Sequence, residues 1–162
     1  PSPEPSPTPT PSPSPSPSPT PSPSPTPTPE PQPAETFEYE GHRYELFISD
    51  CTWWEANEAA KAKGGHLLTI SSQGELDKCG EIAYGSGVIF LRLYAKQTNW
   101  DAGEWSTGES FDVAPWFDGE PSGGGEEFLS MFYVDGTWYF NDTENEVTSY
   151  PGRQGYIIEY DS

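Results

Sequence analysis

The chain is poor in several residue types, and each shortage excludes something. It has two cysteines, two histidines and one methionine in 162 residues. No Cys-x-x-Cys pair is present to suggest zinc or redox chemistry. The histidines, His42 and His66, are too few for a histidine metal site, and His66, directly after Gly64-Gly65, reads as structural. Basic residues are scarce as well: seven Lys and Arg stand against 26 Asp and Glu, a net charge of -19. Without basic patches to replace counterions, nucleic acid and anionic membrane surfaces are excluded as partners. No apolar run approaches the ~18 residues of a membrane span, so no membrane insertion is expected. Neither a starting Met nor a signal peptide is seen, and the sequence reads as a processed fragment whose other modules lie upstream. Ser-His-Asp, Cys-His and phosphate-loop patterns are missing, and the chain is read as a binding module and not as an enzyme.

Proline, by contrast, is concentrated: 17 of the 20 fall within residues 1–33, alternating with Ser and Thr. Such a segment cannot bury a core and is expected to be an extended, polyproline-II-like spacer, roughly 100 Å long at ~3.1 Å per residue. The division expected is a linker over residues 1–35 and one folded domain over residues 36–162. That domain holds all six Trp, nine Tyr and eight Phe. Three acids, Glu4, Glu30 and Glu35, belong to the linker, leaving 23 acids against seven bases in the domain. This excess favours divalent cations and neutral ligands such as sugars. The spacer resembles those joining modules of secreted bacterial polysaccharide-degrading and surface proteins, which implies an extracellular location.

Residues 37–47 read as two short paired strands turning at Gly41. Thr52-Trp53-Trp54-Glu55 is a capping box opening a helix over residues 53–63, which Gly64-Gly65 stops. Residues 66–70 read as a short strand, and Ser72-Gln73-Gly74-Glu75 as a second capping box opening a helix over 73–83. A β-rich run follows at 88–95, and a closing strand at 155–160. Two helices early and strands late make an α+β domain. Residues 97–127 read as a long irregular loop, and loops of that length are usually functional. Cys51 and Cys79 leave two readings open. A disulfide would close about 28 residues and contribute ~3 kcal/mol; alternatively Cys79 is a small core residue, since Leu76, Cys79, Ile82 and Ala83 recur at helical spacing.

The most informative stretch is residues 116–142. Asp135-Gly136 lies between the apolar run 129–134 and the aromatic run 137–140, a strong hairpin signal. A two-residue turn pairs Val134 with Thr137, Met131 with Phe140, Ser130 with Asn141 and Leu129 with Asp142. Glu126 and Glu127 then lie roughly 10 Å or less from the level of Asp142 at ~3.3 Å per residue. Beside them runs Gly123-Gly124-Gly125, which lets the backbone bend close. Oxygen-bearing side chains gathered in this way suit a hard cation. Trp105, Trp116 and Trp138 read as core, while Phe117, Tyr139 and Phe140 are candidates for stacking on a sugar face.

An ordered set of motifs now resembles a known family. It comprises Trp53-Trp54-Glu-Ala-Asn-Glu-Ala-Ala-Lys-Ala-Lys-Gly64-Gly65-His66-Leu67-Leu68-Thr69-Ile70, Phe90-Leu91-Arg92-Leu93, Glu104-Trp105-Ser-Thr107-Gly108-Glu109, Trp116-Phe-Asp-Gly119-Glu120-Pro121-Ser122 and Gly155-Tyr156-Ile157-Ile158-Glu159-Tyr160. Together these resemble a C-type lectin-like domain of the bacterial modular type. The resemblance implies an α+β lectin-like fold of two helices and short antiparallel sheets, with a long calcium-binding loop. It also implies that Glu120, Ser122, Glu126, Asn141 and Asp142 hold calcium and a carbohydrate, with Pro121 cis. Glycan or polysaccharide would be the partner, beside the upstream modules of the same polypeptide.

The chain departs from the family's pattern in three places. Ser122 stands where Asn or Asp is usual, and a hydroxyl is a poorer ligand. Ala60, Phe128 and Ile158 stand where cysteines are common and are expected to pack instead. Three residues separate Trp138 from Asp142, so Phe140 is expected to take the place of the motif's tryptophan. The function implied is a calcium-dependent carbohydrate-binding module; the alternative is a calcium-independent protein-binding or adhesion module on the same scaffold. The sequon Asn141-Asp142-Thr143 is read as coincidental, because glycosylation there would block the proposed ligand.

Overall fold

The computed structural model describes residues 32–147 and 152–161, with residues 3, 5, 9 and 11–13 of the N-terminal segment. The extended-spacer expectation therefore lies largely outside the described residues. Ten elements follow in order: β1 Glu35–Tyr39, β2 His42–Ile48, α1 Trp53–Ala62, β3 His66–Leu67, α2 Gln73–Gly85, β4 Val88–Lys96, α3 Gln97–Asp101, β5 Phe128–Val134, β6 Thr137–Thr143 and β7 Arg153–Tyr160.

Local chemistry sets the ends of these elements. Thr52 Oγ1 accepts the Glu55 N–H at 3.1 Å and Glu55 Oε1 accepts the Thr52 N–H at 3.0 Å, so the capping box of α1 is complete. The box expected on α2 is only half made. Ser72 Oγ accepts the Glu75 N–H at 3.1 Å, but the Glu75 carboxylate turns away to the Ser71 N–H at 2.7 Å and to the Tyr44 hydroxyl. Glu75 is buried against β2, and a buried carboxylate goes where donors can satisfy it. The turn between β1 and β2 uses Glu40 and Gly41, both at positive φ.

The sheet differs from the short antiparallel pieces expected. All seven strands form one sheet in the order β1-β2-β7-β4-β5-β6, with β3 also pairing β7. β7 is its centre: β2 lies antiparallel along one edge, while the other is shared between β4, parallel, and β3. The strand expected at 66–70 is cut to two residues. Leu68 then bridges the gap, its N–H donating to Ile157 O and its carbonyl accepting from Tyr94 N. The β5–β6 hairpin has the expected register throughout, from Val134 opposite Thr137 to Leu129 opposite Asp142.

One core cluster, built around Leu46, Leu91, Leu93, Met131, Phe140 and Ile157, holds α2 against the sheet; a second joins α1 to it. The second contains Ala60, Phe128 and Ile158 together, so the three residues expected to pack in place of cysteines do pack as apolar side chains. Cys51 and Cys79 are both free thiols, which resolves the open alternatives in favour of Cys79 as a core residue. Burial pushes both thiols above their ordinary pKa.

Two outcomes are expected. A Cβ at Gly155 would lie 2.6 Å from the Phe47 carbonyl oxygen, where β7 is pinned between β2 and β4. Gly155→Ala is therefore expected to lose about 1–3 kcal/mol, read as a lower urea midpoint at unchanged slope. Titration with a thiol reagent at pH 8 should modify Cys79 only after unfolding, since the native thiolate is scarce and enclosed.

Candidate functional site

The long loop is held by packing of its own. It opens with α3, missed in the sequence because Gln97-Thr98-Asn99-Trp100-Asp101 has no apolar periodicity. The helix is closed by polar contacts instead: Asn99 Oδ1 accepts the Lys96 N–H at 2.8 Å and the Ser106 hydroxyl at 2.7 Å. Trp105 is fully buried, stacked at a tilt on Phe111 and edge-on to Phe140. Trp116 sits half-buried between Trp100 and Phe140. This aromatic layer presses residues 115–117 along β6, where the Phe140 N–H donates to Pro115 O at 2.7 Å and the Phe117 N–H to Phe140 O at 3.0 Å. A turn follows, the Glu120 N–H donating to Phe117 O across Gly119 at φ +82°. The Glu120-Pro121 bond is cis, as expected.

The consequence is that Glu120 arrives beside Asp142. Carboxylate oxygens of Glu120, Glu126 and Asp142 lie within 4.8 Å of one another. Ser122 Oγ is at their centre, 3.1 Å from Glu120 Oε2, 3.3 Å from Glu126 Oε2 and 3.4 Å from Asp142 Oδ1. A hydroxyl has one proton and can serve only one of three acceptors at a time. Two backbone donors do more: the Ser122 N–H reaches Asp142 Oδ1 at 3.0 Å and the Gly123 N–H reaches Asp142 Oδ2 at 2.6 Å. Sequence reasoning missed these amides, although the Gly run beside Ser122 was the signal that the backbone bends inward here.

The charges are strongly coupled. Burial raises the pKa of the Glu120 carboxyl, and its hydrogen bond to Asp142 raises it further. Burial likewise raises Glu126, followed by the Asp142 charge. For Asp142 burial acts upward too, but hydrogen bonds from the Glu120 carboxyl and from the Gly123 and Ser122 amides outweigh it and hold the carboxyl below its ordinary value. Asp142 is thus the anion of the set, while Glu120 and Glu126 each hold a proton more readily than an ordinary carboxyl.

Four of the five residues expected at the site are brought together. Asn141 adjoins them through the chain on β6 but shares none of these hydrogen bonds. Its Oδ1 is buried and has no hydrogen-bond partner among the described residues. A buried amide oxygen without a donor normally costs about 1–3 kcal/mol. Glu127 is exposed, and its carbonyl accepts the Gln97 N–H. Among the aromatics proposed for stacking, Phe140 is wholly buried and belongs to the core, because β6 alternation turns it inward. Phe117 is 37% exposed and packs edge-on against Phe132 and Tyr139. Trp105 and Trp138 are buried as expected.

No family model matches the chain. Among curated proteins it is similar to one chain of the snaclec coagulation factor IX-binding protein of Gloydius halys, 33% identical over 91 residues, which cover 51% of this chain and 74% of that relative. Among solved structures it is similar to the C-type lectin domain of murine dendritic cell inhibitory receptor 2 in complex with N-glycan, at TM-score 0.66 and 19% identity, over 80% of this chain and 98% of that one. A calcium-independent type II antifreeze protein matches at TM-score 0.63 and 20% identity, over 80% and 93% of the two chains. The relative is aligned over most of its length and the solved structures share the fold; the chain belongs to the C-type lectin-like family.

Proposed function

We propose that this domain is a calcium-dependent carbohydrate-binding module, carried by a secreted or cell-surface modular protein. Residues 1–35 form the linker that separates residues 36–162 from upstream modules, and the domain binds without catalysing a reaction. The observation that carries this reading is the convergence of three carboxylates on one point; Asn141, adjoining Asp142 on β6, adds a buried amide oxygen with no donor among the described residues. Calcium takes about six to eight oxygen ligands at roughly 2.3–2.6 Å. The donor set fits that demand: Glu120, Glu126 and Asp142 supply carboxylates, Asn141 an amide oxygen and Ser122 a hydroxyl. Held by these residues, calcium would supply the remaining positions to two vicinal sugar hydroxyls. Glu120 and Glu126 accept hydrogen bonds from those hydroxyls and the Asn141 amide donates one. The Ser122 and Gly123 amides keep Asp142 oriented and ionised.

One observation favours a second reading, a protein-binding module that works without calcium. The loop closes through its own hydrogen bonds, with both Asp142 oxygens taken by backbone amides. The Gloydius halys relative is named for binding coagulation factor IX, and one structural neighbour is described as calcium-independent.

Calorimetric titration separates the two readings. Under the first, the wild-type chain binds calcium with a dissociation constant on the order of 0.1–1 mM, as extracellular calcium modules do. Glu120→Gln weakens binding at least tenfold, and EDTA abolishes binding on a glycan array. Absence of calcium heat, with array binding indifferent to EDTA, would decide for the second. Calcium affinity should also fall as pH is lowered. Calcium requires the ionised carboxylates, and the Glu120 and Glu126 carboxyls are held above their ordinary value of 4.5, so the loss begins above that pH. Affinity unchanged down to pH ~4 would exclude carboxylate coordination.

A further inference from the structure

A second cluster lies at the C-terminal end of β7 and contains both histidines of the chain. β7 is flanked there by β2 and β3, and the registers decide which side chains share a face. Tyr44 and His66 both stand opposite Glu159, from either side. Arg43 stands opposite Tyr160, so His42 falls opposite Asp161. Residues directly opposite in antiparallel strands share a face, as do residues two apart. His42, His66, Glu159 and Asp161 are therefore gathered on one face by pairing alone.

Their atoms meet there. His42 Nδ1 is 2.6 Å from Glu159 Oε2 and 3.3 Å from Asp161 Oδ1, and His66 Nε2 is 3.1 Å from Asp161 Oδ2. One ligand atom each of His66, Glu159 and Asp161 lies within 4.8 Å of the other two. In a tetrahedral zinc site with bonds of ~2.0–2.2 Å, ligand atoms sit roughly 3.3–3.6 Å apart; His66, Glu159 and Asp161 converge as one set and His42, Glu75 and Glu159 as another, so Glu159 is common to both and zinc would draw the His42 ring in beside His66 and Asp161. We propose that His42, His66, Glu159 and Asp161 form a zinc-binding site at the junction of the first hairpin with the last strand.

Three independent observations support zinc over a simple ion-pair network. First, His66 Nδ1 is 2.6 Å from the Leu67 carbonyl oxygen, which can only accept, so the proton of that nitrogen is fixed. Nε2 is left facing the Asp161 carboxylate at 3.1 Å, on the side from which an ion would be met. Donation of the other ring N–H to a carbonyl is the outer contact that metal-bound histidines almost always make. Second, the rings are oriented: His66 stacks on Tyr94 at 5.5 Å and His42 on Tyr44 at 6.3 Å. Third, Glu159 is 1% exposed and is held by the Thr69 N–H and hydroxyl at Oε1, with Oε2 directed at His42. Glu75, buried close by, adds a third negative charge but is already engaged by Ser71 and Tyr44, and it acts as an outer group. Asp161, 58% exposed, and His42, 34% exposed, leave a route for the ion.

Imidazole and carboxylate together favour zinc over calcium, which takes oxygen ligands. The site is therefore distinct from the loop site in donor chemistry and does not depend on it. It ties β2, β3 and β7 into a clasp at the end of the sheet. The test is titration of zinc chloride into the full chain at pH 7.5 with calcium present in excess. One equivalent should bind with a dissociation constant below ~10 μM, and zinc should raise the melting temperature. His66→Gln and Asp161→Asn should each weaken binding at least tenfold, whereas Glu120→Gln should leave it unchanged. Asp161 is exposed and its variant should fold, which circular dichroism checks. Two results would overturn the proposal: no zinc binding, which leaves the imidazoles and carboxylates paired with one another alone, or binding that Glu120→Gln removes while His66→Gln and Asp161→Asn preserve it.

Discussion

The structure depends on the full use of both edges of β7. One edge is occupied by β2; the other is divided between the parallel β4 and the two-residue β3. A central strand so engaged has its backbone groups met from both sides, and its side chains, buried from Gln154 to Glu159, join the two apolar clusters. Everything else hangs from that arrangement. β4 carries the β5–β6 hairpin outward to the loop site, while β2 and β3 bring the two histidines to the C-terminal end of β7.

Aromatic packing takes over work that disulfides do in many small extracellular domains. The three positions where cysteines are common hold Ala60, Phe128 and Ile158, which lie within one cluster. Beneath the long loop, Trp105, Phe111 and Trp116 converge on Phe140, and Trp100 packs edge-on against Trp116. Each edge-on or tilted pair adds about 0.5–1.5 kcal/mol beyond area burial, and the loop is thereby fixed at several points rather than at one covalent bridge. Glu120 can then be set beside Asp142 with hydrogen-bond precision although 21 residues separate them in the chain. Beyond the site, the segment after β6 also helps to cap α1, where Asn145 accepts the Trp53 N–H through its carbonyl and the Trp54 N–H through Oδ1.

The strong acidity of the chain is organised at two places in contrasting ways. At the loop, carboxylates face one another around a hydroxyl, and backbone amides are the chief positive partners. At the end of β7, carboxylates face imidazoles, and Glu159 is raised by burial and then by Glu75 while His42 is raised by its bond to Glu159. An oxygen-only cluster and a mixed nitrogen–oxygen cluster are suited to different cations. The same sheet therefore presents two clusters of unlike chemistry, one beside its edge strand β6 and one at the end of its central strand β7.

Much of this was legible in the sequence, because it rested on local signals. The Thr52–Glu55 capping box, the Asp135-Gly136 turn with its register, and the motif order around Glu120-Pro121-Ser122 each depend on neighbouring residues, and each signals its own geometry. So did the collection of oxygens at residues 120–142, since one hairpin register fixes how near they come. What the sequence left open is what depends on contacts between distant segments. α3 lacks periodicity and is closed by Asn99; Glu75 abandons its cap for Tyr44; Phe140 faces the core rather than a ligand. Two histidines looked too few for a metal because composition counts residues and cannot see that β2, β3 and β7 place them beside Glu159 and Asp161. The sequence by itself determined the elements and the acidic loop, through propensity, caps and turns acting over a few residues. The tertiary structure decided which carboxylates meet and what they meet, because strand pairing sets neighbours across 117 residues that no local pattern encodes.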